Sequence, residues 1–185
     1  MTQRWIVTAL GKDRPGIVAG VAKVLYQLGC NLEDSAMTRL EGEFAIMLIF
    51  STASTSAERL RKAFEPLKRS LQLMVHLKRL TERETKTPAR RGSSYLISIY
   101  GADHPGIVFH VSDVLAKAKV NITDVHTHRS SSGGPRSRVP SLYLLLLEVE
   151  LPAARSLSWL ERLLKRTAKR LRVEVSLRPS EADVL

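Results

Sequence analysis

The sequence predicts an α+β chain made of two successive βαββαβ units, each an antiparallel sheet with two helices on one of its faces. Three observations predict it. The chain repeats itself, each copy alternates strand-like and helix-like apolar spacing in the same order, and a charged stretch bearing Pro and Gly separates the copies. Residues 5–39 align without a gap on residues 95–129, an offset of 90. Gly11, Asp13, Pro15, Gly16, Ile17, Val18, Val21, Val24, Leu25, Asn31, Asp34 and Arg39 each meet the same residue type in the second copy.

Each element follows from its side-chain period. Residues 4–10 and 95–100 are rich in β-formers and predict the first strands. Apolar residues at 17, 18, 21, 24, 25 and 28, and at 107, 108, 111, 114, 115 and 118, lie on one helical face. Extended character resumes over 31–39 and 121–129, and the continuous apolar runs at 44–50 and 142–149 have strand length. Residues 56–70 and 154–170 predict amphipathic helices, and 71–79 and 171–178 close each unit. This order is that of a ferredoxin-like sandwich. The expected organisation is a first module at 1–80, a linker at 81–93, a second module at 94–178 and a tail at 179–185. The second copy also carries a Ser/Gly/Pro-rich insertion near 130–140. A sheet covered on one face only would leave apolar side chains bare, so the modules are expected to pack on each other or to pair in a homodimer.

Composition bounds the function. With 44% hydrophobic and 25% charged residues the chain is ordinary globular material. No stretch approaches the roughly 18 apolar residues of a membrane span, and the N-terminus lacks a secretory pattern, so a soluble, cytoplasmic protein with no membrane partner is expected. The single cysteine, Cys30, excludes an internal disulfide and a cysteine-built zinc site and reads as a small core residue. The net charge of +11 raises a nucleic-acid reading, but neither half is a basic arm. The densest cluster, Arg162, Lys165, Arg166, Lys169, Arg170 and Arg172, alternates with leucines at helical spacing and reads as the solvated face of an amphipathic helix, with a docking surface as the alternative.

The chemistry-bearing phrase is G-x-D-x-P-G-I-V, at the turn from first strand to first helix in both copies. Proline is favoured at the first helical position, so Pro15 and Pro105 are expected to start the helices, with Arg14 and His104 as poor caps. Gly16 and Gly106 leave backbone approachable, and Asp13 and Asp103 lie just outside. A helix N-terminus and a nearby carboxylate suit a zwitterion, the helix end taking its carboxylate and the Asp its ammonium. Asn31 and Asn121 are expected beside the same loop, where an amide can donate and accept. The alternative is that the aspartates only make Asx turns.

On this loop, on the helix endings G-C-N-L and K-V-N-I, and on the element order, both halves resemble the ACT domain, a regulatory module that commonly binds amino acids. The tandem without an attached enzyme is similar to the glycine cleavage system transcriptional repressor family, which acts through a partner activator protein. The resemblance implies ligand sites at Asp13, Arg14, Pro15, Gly16, Ile17 and Asn31, and at Asp103, His104, Pro105, Gly106, Ile107 and Asn121. It implies an amino-acid ligand such as glycine and a partner regulatory protein such as a transcriptional activator, with no cofactor. Arg14 against His104, and Gly20 against His110, mean the two sites need not share a ligand.

No phosphate loop, nucleophile elbow or phosphatase D-x-D signature is present, so no enzyme is expected. Asp124, His126 and His128 share one strand face, but Ala36 and Thr38 replace the histidines in the first copy, and no metal site is expected. The competing reading is a basic ferredoxin-like nucleic-acid binder or a ligand-free scaffold. The strands lack the aromatic pattern of RNA-recognition modules, and no helix-turn-helix stands out, so no sequence-specific nucleic-acid partner is expected.

Overall fold

The computed structural model describes residues 2–53, 55–81, 84, 92–130 and 141–180. The chain divides into two compact units, Met1–Thr87 and Pro88–Leu185. Residues 131–140 of the expected insertion and most of the linker and tail fall outside the described residues.

The first unit runs β1 (Gln3–Lys12), α1 (Ile17–Gln27), β2 (Asn31–Leu40), β3 (Glu43–Thr52), α2 (Ala57–Leu71) and β4 (Met74–Arg79). The second runs β5 (Gly92–Ala102), α3 (Ile107–Lys117), β6 (Asn121–Ser130), β7 (Leu142–Pro152), α4 (Leu157–Leu171) and β8 (Val173–Pro179). Both sheets are antiparallel, in the orders β2-β3-β1-β4 and β6-β7-β5-β8. This is the expected βαββαβ arrangement, built twice.

Period-2 and period-3.6 patterns meet in each core. Val7 and Ala9 of β1, with Phe44, Ile46, Leu48 and Phe50 of β3, face Ile17, Val21 and Leu25 of α1 and Leu60 and Phe64 of α2. The second unit repeats the scheme with Ile97 and Ile99, Leu145, Leu147 and Val149, then Ile107, Val111 and Leu115, then Leu160 and Leu164. Burial of one such aliphatic side chain contributes about 1.5–3 kcal/mol. The second helices start on matched serine caps, Ser56 accepting from the Arg59 amide and Ser156 from that of Trp159. They end on left-handed residues, Gln72 and Arg172.

Two consequences bear on function. β2 and β6 are edge strands, with every residue of β2 exposed. The helix-free sheet face carries exposed apolar residues, Leu10, Met47 and Met74 in the first unit and Tyr100 in the second. Cys30 is half-buried at the margin of the first core, and burial pushes its thiol pKa up.

Candidate functional site

The loop between first strand and first helix is built alike in both units. The Asp13 amide donates to the Gly42 carbonyl and that of Asp103 to Ser141, each at 2.8 Å, which fastens the loop to the residue preceding the third strand of its unit. Gly16 and Gly106 then cap the helices in the left-handed region, at φ 95° and 98°, with no side chain capping the helix amides. Their carbonyls accept the first helical bonds, from Gly20 at 2.8 Å and His110 at 2.9 Å. The expectation that Pro15 and Pro105 occupy the first helical position, capped by Arg14 and His104, is therefore corrected. The helices begin at Ile17 and Ile107, because a positive-φ glycine interrupts helical geometry after the proline. The first amides of each helix lack intrahelical acceptors, as at any helix start.

Each loop aspartate is held by an arginine from the neighbouring edge strand. Asp13 Oδ2 lies 3.1 Å from Arg39 Nη1, and Asp103 Oδ2 lies 2.8 Å from Arg129 Nε. These pairs are at the surface, the arginines 68% and 67% exposed, so each stabilises the fold by about 0–1 kcal/mol at most. Each aspartate carboxylate is thus already engaged by a cation. Sequence reasoning leaves Arg39 and Arg129 out of the loop, although their recurrence at equal repeat positions is a usable signal.

Arg14 and His104 turn towards the end of the second helix. Arg14 donates to the Gln72 side chain at 2.9 Å, and His104 Nε2 lies 2.8 Å from the Leu171 carbonyl while its Nδ1 lies 3.1 Å from that of Pro105. Only a protonated imidazole can donate to two carbonyls at once. Those bonds, Leu171's first, raise the His104 pKa above its ordinary value. Ile17 and Ile107 are core residues, at 1% and 2% exposure, and offer a ligand only their backbone.

Asn31 and Asn121 are not beside the loops of their own units. In the sheet Arg39 aligns with Phe44 and so with Gly11, whereas Asn31 aligns with Ser51 and so with Arg4. Eight residues of extended strand separate the two ends, about 25 Å. Asn121 stands likewise opposite Glu150, with its amide 3.5 Å from that carboxylate. The reason is directional: α1 carries the chain away from the loop, and β2 starts at the far end and returns. Asn121 borders a shallow hollow with Phe109, Ser112 and Asp113 on the flank of α3. In the first unit an apolar cavity of about 320 Å³ between α1 and β2 is lined by Val18, Tyr26, Leu32 and Met37 among others, and Asp13, Gly16 and Asn31 take no part in it.

His126 Nε2 pairs with Asp124 Oδ2 at 2.9 Å on the exposed edge strand. Among the described residues no group of three or more His, Cys, Asp or Glu side chains is placed to hold a metal.

Comparison with known proteins matches this geometry to a family. Residues 3–78 match the ACT-domain family model. The chain is 33% identical over 122 residues to the glycine cleavage system transcriptional repressor of Escherichia coli (strain K12), a match covering 65% of this chain and 62% of that protein. It therefore spans somewhat under two thirds of that relative's length. It is 38% identical over 73 residues to a UPF0237 protein of Streptococcus mutans, covering 39% of this chain and 83% of that one. Among solved structures, an unknown protein from Galdieria sulphuraria shares the fold at 24% identity, with a TM-score of 0.81 over 97% of this chain and 99% of the other. The family model covers the first module, residues 3–78, which belongs to the ACT-domain family, and the second module repeats the same strand order, glycine-capped helix start and loop.

Proposed function

We propose that this chain is a non-catalytic regulatory protein that senses a small amino acid, glycine foremost, and controls gene expression or metabolism through a partner protein such as a transcriptional activator. The observation that carries the proposal is the loop made twice: a glycine-capped helix start, an aspartate and an edge-strand arginine within about 3 Å of each other's charged atoms. A zwitterion complements that arrangement. Its ammonium replaces the arginine on Asp13 or Asp103, and its carboxylate takes the released arginine and the helix amides of Ile17 or Ile107. The name of the Escherichia coli relative supports glycine and a transcriptional role.

The proposed ligand residues are Asp13, Pro15, Gly16, Ile17 and Arg39, and Asp103, Pro105, Gly106, Ile107 and Arg129. Arg14 and His104 hold each loop to its second helix. Asn31 and Asn121 stand at the far ends of their strands from these loops and are left out of the proposed site. A homodimer and a cytoplasmic location belong to the same proposal, the first checked by analytical ultracentrifugation.

A thermal-shift and calorimetric screen of the common amino acids tests the reading. A ligand that binds only the folded state, at one hundred times its Kd, stabilises by about 2.7 kcal/mol, well within detection. Absence of any stabilising amino acid at millimolar concentration would leave a ligand-free scaffold and defeat the proposal.

A further inference from the structure

We propose that the outward face of α4 docks on the phosphate backbone of a duplex nucleic acid, independently of base sequence. Arg162, Lys165, Arg166, Lys169 and Arg170 are all exposed and fall on one face of the helix, opposite the buried Leu160, Leu164, Thr167, Ala168 and Leu171. The stripe runs about 12 Å along the axis. Arg172, at the C-cap, extends it.

A solvated helix face does not require this charge, and the chain contains its own control. α2 occupies the same place in the same fold, with the same serine cap and left-handed ending. Its five corresponding positions hold Lys62, Glu65, Pro66, Arg69 and Ser70, two cations and one acid against five cations. Lys62 is further paired with Glu58 at 2.8 Å, and Glu65 with Lys68 at 2.6 Å. On α4, Glu161 reaches Lys165 only at 3.9 Å, and among the described residues Arg162, Arg166, Lys169 and Arg170 have no ion-pair partner. The helix macrodipole favours cations in the last turn, but it acts equally on α2, so it does not account for the difference.

The kind of partner follows from what the face lacks. Protein interfaces are anchored by desolvated apolar or aromatic side chains. Among the described residues the exposed large hydrophobics lie on α1, α3 and the strands, and the aromatic of α4, Trp159, is half-buried against the core with Arg155 stacked 4.5 Å from its ring. A face of cations without anchors suits counterion release from phosphates, which needs no hot spot. It also carries no base-reading geometry, which is why the docking is independent of sequence.

Fluorescence anisotropy of the full chain with two 30-base-pair duplexes of unrelated sequence tests the assignment. Five phosphate contacts predict equal affinity for both duplexes and a loss of about 500-fold between 50 and 200 mM salt. The variant Lys165→Gln/Arg166→Gln/Lys169→Gln/Arg170→Gln should retain the parent melting temperature and lose only about threefold to fourfold over that range. Lys165→Glu alone, which installs the α2 residue, should weaken binding at 50 mM salt by tenfold or more. Lys62→Gln/Arg69→Gln on α2 should keep the parent salt slope. The proposal is overturned if the parent does not bind at 50 mM salt, if it distinguishes the duplexes, or if the α4 variants keep its slope. Tighter binding of a poly-glutamate peptide than of duplex would overturn it in favour of an acidic protein surface. Duplex binding is read without any amino acid present, so its failure and that of the ligand proposal are separate results.

Discussion

Gly16 caps α1 at φ 95° and ψ −6°, and a Cβ added there would meet nothing within 4 Å. The cost of Gly16→Ala is therefore backbone conformation alone. Holding an L-residue in the left-handed region costs about 1–2 kcal/mol. For a domain of this size each kcal/mol lowers Tm by about 4–8 °C. Of the chain's two tryptophans, Trp5 is buried in the first unit, at 5% exposure, and Trp159 belongs to the second, so a Trp159→Phe background makes fluorescence a reporter of the first unit. Urea unfolding should then give a lower midpoint with an unchanged slope m, as expected for a change in stability alone. Gly106→Ala should cost as much or slightly more, because its Cβ would stand 3.4 Å from the His110 ring. A Gly16→Ala midpoint equal to the parent's would refute the reasoning, since the loop would then not depend on a positive φ at its corner.

Arg39→Ala and Arg129→Ala should change stability by no more than about 1 kcal/mol, as surface pairs do, yet weaken amino-acid binding about tenfold to a hundredfold in calorimetry through loss of a charged hydrogen bond. Unchanged affinity in both would remove the arginines from the site. Asn31→Ala should leave amino-acid binding within about twofold, because the amide stands about 25 Å along the strand from its own loop, and a loss of tenfold or more in calorimetry would return it to the site. For His104 the folded pKa is raised, so its contribution to stability is fully present below the ordinary value of 6.5 and is lost as pH rises through the folded value. The stability difference between parent and His104→Gln, read from urea midpoints, should shrink as pH rises above 6.5, and a difference that grows would contradict the double hydrogen bond.

Much of the fold is legible in the sequence, because its information is local. The spacing of Ile17, Val21 and Leu25 marks a helical face whatever it packs on, and the continuous apolar run at 44–50 has strand length, although only burial shows that Phe44, Ile46, Leu48 and Phe50 take the core face. Repetition at an offset of 90 then made two modules the economical solution. The candidate loop was legible as a phrase, but its internal geometry was not. Proline and glycine both suit a helix start, and only the backbone shows that the glycine takes the cap in a left-handed conformation while Pro15 stays outside.

What the linear chain determined by itself was which segments become helix or strand, their order, and the doubling of one loop, since these follow from side-chain period and local backbone preference. Tertiary structure alone decided which charged groups meet. Asp13 and Arg39 are distant in sequence and become partners because the hairpin register sets Arg39 opposite Phe44 and thereby level with Gly11. The same register carries Asn31 to the other end of its strand. Strand pairing is a long-range choice among alternatives that slide by two residues without changing which face is apolar, so the identity of a residue's neighbour across the sheet is settled only when the whole core closes.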